Sequence, residues 1–144
     1  MMRKKTLKQS VFNRIMVNGN KRTSEKVFLK TLKLIQKTEP LRSYEAILKT
    51  ALINSSPLLY VKQIKRKRKR TVEFPFLLSS KLKLSYAVKF LVLNSRKRKI
   101  QSFYKNLNLE LLSSSKKSSP SFKQKTDLHK EGFAKRKFAN YRWF

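Results

Sequence analysis

Thirty uncompensated positive charges are the strongest constraint on what this chain can fold into. Its 144 residues hold 37 Lys or Arg against 7 Asp or Glu, a net charge of +30. Like charges at that density repel one another in a compact state, so the fold needs an apolar core and a polyanion to offset the field. Nucleic acid is the first candidate. The length allows one domain.

Material for a core is present. Apolar residues make up 40% of the chain and include 10 Phe and 5 Tyr, more than a disordered basic tail carries. The absence of Cys excludes disulfides and thiolate zinc sites. His129 is the lone histidine, and Asp127, two residues before it, would not share its helix face. No phosphate-loop, dinucleotide or nucleophile-elbow motif occurs. Neither enzyme, metal, cofactor nor small-molecule substrate is therefore expected. No apolar run approaches the ~18–20 residues of a spanning helix, so no membrane role is expected. The basic, acid-free stretch Met1 to Val17 fits a transit peptide and also fits a first packed helix.

The apolar spacing outlines the elements. Leu7, Val11 and Ile15 recur at helical intervals, and Asn18-Gly19-Asn20 reads as a turn. Thr23 reads as the N-cap of a second helix faced by Val27, Phe28, Thr31, Leu32 and Ile35. Leu41, Tyr44, Leu48, Ala51 and Leu52 mark a third. The period then drops to two, over Leu59 to Ile64 and Thr71 to Phe76, which predicts a β-hairpin with Pro75 on an edge. Leu84, Ala87, Val88 and Leu91 resume helical spacing, followed by Ile100, Phe103, Leu107 and Leu111. Ser119-Pro120 predicts an N-cap with Pro at N1 of a last helix reaching about Asn140.

The expectation is mainly α: a bundle of about six helices with one protruding basic β-hairpin, in a single domain. Its parts are a basic arm and first helix at 1–18, helices at 22–54, the hairpin at 58–77, helices at 81–112, a flexible Ser/Lys loop at 113–121, and a C-terminal helix and tail at 122–144.

The cations come in blocks: Arg3 to Lys5, Lys21-Arg22, Lys65 to Arg70, Arg96 to Lys99, and Lys135 to Lys137. One block alone is an ordinary solvated surface or an import signal. Together, at element ends and a hairpin tip, they can converge on phosphates, and neutralising ~10 phosphates implies a log–log salt slope of about −9 on duplex. Phe12, Phe28, Phe90 and Phe103 are expected in the core. Tyr141 to Phe144 would either stack on bases or dock on the domain.

At this point several segments, in order, resemble one family, the small-subunit ribosomal protein seven family of bacteria and organelles. Phe12 to Lys21 is similar to its first helix and the M-x-[DN]-G-x-K turn. Thr23-Ser24-Glu25 resembles its T-A-E, and Ala51 to Pro57 its A-x-x-N-x-x-P. Ala87 to Leu91 through Arg98 resembles the fourth helix, and Leu107 with Glu110-Leu111 the fifth. Asp127 to Lys130 and Phe138 to Trp143 are similar to its D-x-H-[RK] and closing F-A-H-Y-R-W.

The resemblance implies a structural protein that binds small-subunit rRNA in the 3′ major domain and helps assemble the subunit head beside neighbouring head proteins. It also implies a hairpin near exit-site tRNA and mRNA. The expected rRNA contacts are Lys21, Arg22, Lys62, Lys65, Arg66, Lys67, Arg68, Lys69, Arg70, Lys81, Lys83, Lys89, Arg96, Arg98, Lys135, Arg136 and Arg142. The Tyr-Arg-Trp ending, with Lys outnumbering Arg 26 to 11 as in AT-rich organelle genomes, points to a mitochondrial ribosome, with plastid or bacterial cytoplasm as alternatives. The hairpin tip departs from the family's Gly-Gly pattern, Pro57 to Pro75 is one residue longer, and Lys135 replaces an Asn. The competing readings are a basic nuclear or chromatin-binding protein that uses Lys65 to Arg70 for import and, behind it, a membrane-active cationic protein.

Overall fold

The computed structural model describes residues 7–64, 71–99 and 102–140. Among these, six α-helices and one two-stranded antiparallel sheet follow the order α1 (Leu7–Ile15), α2 (Lys21–Thr38), α3 (Tyr44–Ser55), β1 (Leu59–Ile64), β2 (Val72–Leu77), α4 (Ser80–Lys97), α5 (Phe103–Ser115) and α6 (Pro120–Ala134), with a 3₁₀ turn over Arg136–Phe138. The chain is a mainly α bundle carrying a β-hairpin, as its periodicities imply.

Helix α5 is the centre. It packs against α2, α3, α4 and α6, and its Leu107 and Leu111 are buried among Phe28, Ile35, Ile47, Ala51, Ala87 and Leu91. These residues fall at three- and four-residue spacing, which turns one stripe of each helix inward. Phe28 is buried; Phe12 and Phe103 pack against the core from its edge. Phe90 is half-buried and meets Tyr86 edge-on at 6.2 Å.

Helix α2 starts three residues earlier than the Thr23 cap would set. Asn18 and Gly19 both take left-handed φ values, 51° and 74°, and the Asn20 N–H donates to the Val17 carbonyl at 3.1 Å. This tight reversal delivers the chain directly into helix at Lys21. Helix α3 starts later than its apolar stripe suggests, because the Ser43 hydroxyl accepts from the Ala46 N–H at 3.3 Å and caps it. Leu41 is left fully exposed.

The hairpin pairs Leu59 with Leu77 through Ile64 with Val72. Pro75 lies opposite Val61, tolerated because each strand of a two-stranded sheet is an edge. The hairpin base is anchored by aromatic contacts. Tyr60 stacks on its cross-strand partner Phe76 at 5.7 Å and on Tyr86 of α4 at 6.2 Å, while buried Phe74 meets Phe138 edge-on at 5.7 Å. Against α6, Leu59 lies over Gly132, where a Cβ would come within 2.4 Å of the leucine.

The expected flexible loop at 113–121 is shorter and more ordered. Helix α5 continues to Ser115 and α6 begins at Pro120. The serines are the reason. Ser113 and Ser115 hydroxyls donate back to helix carbonyls, and the buried Ser114 hydroxyl donates to Ser119 at 2.7 Å. Ser119 also caps α6 by accepting from the Phe122 N–H at 3.1 Å, with Pro120 following, as the sequence implies. Helix α6 stops at Ala134 rather than near Asn140, giving way to the 3₁₀ turn.

Candidate nucleic-acid interface

Five of the seven carboxylates pair with cations of the chain, while Asp127 and Glu131 are exposed on α6. Glu110 is fully buried and accepts from Arg98 Nη2 at 2.8 Å and Nε at 3.2 Å. Its other oxygen accepts from the Ser121 N–H at 3.2 Å and hydroxyl at 2.6 Å. Glu73 of β2 pairs with Lys135, Glu45 with Lys8 at 3.1 Å, Glu39 with Lys116 at 3.0 Å and Glu25 with Lys21 at 3.9 Å. Lys8 is held above its ordinary value by hydrogen bonds to Tyr44 and Glu45, and Lys8 in turn holds Glu45 down. Most of the other described cations are exposed and lie in no ion pair among the described residues.

One group of them gathers where the α1–α2 turn meets the α4–α5 junction. A cleft of about 490 Å³ is lined by Asn20, Thr23, Arg96, Arg98, Lys99 and Phe103, among others. Lys21 and Arg22 are exposed at the first turn of α2, whose N-terminal end favours an anion. Arg96 donates from Nη2 to the Ile15 carbonyl at 3.0 Å and lies 6.0 Å from the Phe103 ring, so it joins α4 to α1 while exposing the rest of its guanidinium. Arg98 is different. Its pairing with Glu110 makes it first a structural residue, a role that a run of four cations in sequence does not reveal.

A second group borders the cleft between α1 and α4. Lys81 and Arg14 are both exposed on its rim. Arg14 escapes sequence reasoning because nothing local links it to Lys81. Lys83 is half-buried, and Lys89 is exposed, 5.9 Å from the Tyr86 ring.

The third group surrounds the hairpin. Lys62 is exposed on β1 opposite Phe74. Lys65, Arg66, Lys67, Arg68, Lys69, Arg70 and Arg142 lie outside the described residues, as do Tyr141 to Phe144. Lys135 is half-buried and engaged by Glu73, so it ties the end of α6 to β2. Arg136 is exposed, with its guanidinium 4.7 Å from the Phe133 ring. It borders a groove of about 920 Å³ with Leu58, Pro75, Phe76, His129 and Phe133. His129 Nε2 accepts the Leu58 N–H at 3.0 Å, which fastens α6 to the hairpin base. Burial, and then Lys125, lower its pKa. Burial, and then Lys117, lower that of Lys125.

Among the described residues no group of three or more His, Cys, Asp or Glu could hold a metal, and no helix is long and apolar enough to cross a membrane.

A helical core whose few acids mostly pair with its own cations, which shows basic residues on several surfaces and extends a two-stranded hairpin, defines a cationic bundle-and-hairpin protein suited to a polyanion. The family described as Ribosomal protein S7p/S5e matches residues 2–136, and the chain belongs to that family. It is 32% identical over 131 residues to the small ribosomal subunit protein uS7 of a Nitratiruptor species, covering 91% of this chain and 83% of the relative. It is 34% identical over 134 residues to uS7 of Nitratidesulfovibrio vulgaris, with the same coverage. It is 30% identical over 142 residues to the small ribosomal subunit protein uS7c of Euglena gracilis, covering 96% and 87%.

Proposed function

We propose that this protein holds small-subunit rRNA and helps assemble the head of the small subunit, on the 3′ major domain. Membership of the S7p/S5e family makes it a structural, non-enzymatic constituent of the small ribosomal subunit, acting in translation. The observation that carries the RNA reading is the pairing of the acids with the chain's own cations. With Glu25, Glu39, Glu45, Glu73 and Glu110 each matched by one cation, the large excess of Lys and Arg is left without an acidic partner.

Lys21, Arg22, Arg96 and Lys99 around the α2 N-terminus, and Arg14 and Lys81 on the neighbouring cleft, would take phosphates. Phosphate contacts supply affinity and register, and the shape of folded RNA supplies most of the specificity. Lys62, Lys83, Lys89 and Arg136 extend the same surface toward the hairpin, with Lys65 to Arg70 at its tip and Arg142 in the C-terminal tail. The hairpin would reach toward exit-site tRNA and mRNA, and neighbouring head proteins would complete the site. We place the protein in the mitochondrion, on the Lys-rich composition and the Tyr-Arg-Trp ending.

Replacing Lys65 to Arg70 with Ser tests the reading. The variant is expected to lose co-sedimentation with the small subunit at physiological salt while keeping its far-UV helical signal. Normal assembly of that variant would refute the role given to the hairpin. Fractionation of organelles, with the protein followed to mitochondrial or plastid ribosomes, decides the location.

A further inference from the structure

We infer that the outer face of α2 is a second RNA-binding surface that follows a phosphate backbone separate from the one met by the hairpin. The inference rests on the rRNA-binding reading above. Lys26, Lys30, Lys33 and Lys37 recur at spacings of four, three and four residues, and all are exposed. At 3.6 residues per turn they form one stripe about 60° wide and about 16 Å long. The buried face of the helix, Ser24, Phe28, Thr31, Leu32 and Ile35, lies opposite.

Among the described residues no acid neutralises this stripe. None of its members is in an ion pair among the described residues, and the nearby acids are engaged elsewhere, Glu25 by Lys21 and Glu39 by Lys116. Lys30 lies 6.0 Å from the Tyr104 ring, and Lys33 borders the groove lined by Phe28 and Tyr44. Core packing does not need these lysines: the burial of α2 is complete without them.

The partner is nucleic acid rather than protein. A protein interface centres on aromatic or aliphatic anchors, and the stripe has none. Leu29, exposed beside it, lines the groove between α1 and α2. Cations repeating about every 6 Å along a straight helix suit a polymer whose charge also repeats. The position makes the surface distinct. Helix α2 packs on α5 and α1, so its outer face points away from α5, whereas the hairpin is held by α6 on another flank of α5. Two RNA segments can therefore be gripped at once.

The test uses the full chain and transcribed small-subunit rRNA, with affinity measured from about 50 to about 200 mM salt. Changing Lys26, Lys30, Lys33 and Lys37 together to Gln is expected to reduce the log–log salt slope by about 3. Changing the same four to Arg should leave the slope as it is. Hydroxyl-radical protections lost in the Gln variant should fall on nucleotides other than those lost when Lys65 to Arg70 are Ser. Retained rRNA with an unchanged slope in the Gln variant overturns this inference alone. Loss of the same nucleotides in both variants overturns the two-surface arrangement. A wild-type chain that does not retain rRNA overturns both this inference and the reading it rests on.

Discussion

Arg98, at the C-cap of α4, closes on the fully buried carboxylate of Glu110 in α5 through Nη2 at 2.8 Å and Nε at 3.2 Å. The same carboxylate receives the backbone and hydroxyl of Ser121 at the start of α6. The end of α4 and the start of α6 meet on one side chain of α5. Removing a partner of a buried pair strands the other charge, so Arg98→Ala is expected to destabilise by about 2–3 kcal/mol, at the low end because the arginine is partly exposed. Glu110→Gln keeps an acceptor for Ser121, and the Arg98→Ala/Glu110→Gln double variant should lose less than the sum of the two single changes. Denaturant unfolding of the four proteins gives the coupling, and strict additivity would refute a direct pair.

His129 makes the hairpin base sensitive to pH. Its Nε2 accepts from the Leu58 N–H, which only the neutral ring can do, and burial lowers its pKa from the ordinary 6.5. The unfolded chain then binds the proton more readily than the folded one. This contribution to stability is complete above pH 6.5 and declines as pH falls through the depressed folded value. His129→Gln keeps an acceptor without titrating there. The difference in stability between wild type and variant should therefore change on acidification, and a constant difference from neutral pH down to about pH 5 would exclude this role.

Lys117 sits at φ 59°, in the left-handed region, just past the end of α5. Around it the Ser118 N–H donates to Ser113 O at 3.0 Å and the Lys117 N–H to Ser114 O at 3.1 Å, the paired bonds of a Schellman cap. Glycine is the residue that such a position favours. Lys117→Gly is expected to stabilise the fold by about 1 kcal/mol, and also to relieve the charge that Lys117 places near Lys125. A lowered melting temperature would contradict this.

Gly132 weakens α6 as a helix residue, yet it is where Leu59 of β1 rests. Gly132→Ala gains helix propensity of about 1 kcal/mol but forces the leucine aside, which costs about 1–3 kcal/mol. A net loss is expected, and it should turn into a gain when Leu59→Ala is already present. Equal effects of Gly132→Ala in both backgrounds would show that the contact does not matter.

Salt should act in opposite directions on folding and on binding. Screening weakens the self-repulsion of a +30 chain, so the melting temperature should rise with ionic strength. Affinity for rRNA should fall over the same range. A melting temperature that falls with added salt would show that the surface cations are not in net repulsion.

Helix faces, the change to period two at the hairpin, the Ser119-Pro120 start of α6 and the segments shared with the S7p/S5e family were legible in the sequence itself. Each is a local pattern, set by which side chains recur every two or every three to four residues. What the tertiary structure decided is which charges remain available. Glu73 reaches Lys135 and Glu110 reaches Arg98, so two of the expected RNA contacts hold the fold together. Ser114, Ser119 and Ser121, loop-like by composition, are buried in a polar cluster around Glu110. His129 proves to be an acceptor for the residue just before β1, and Arg14 comes to the rim that Lys81 occupies. These relationships join segments that only packing brings together. A cation's sequence neighbours show that it is charged; its spatial neighbours determine whether that charge is already matched.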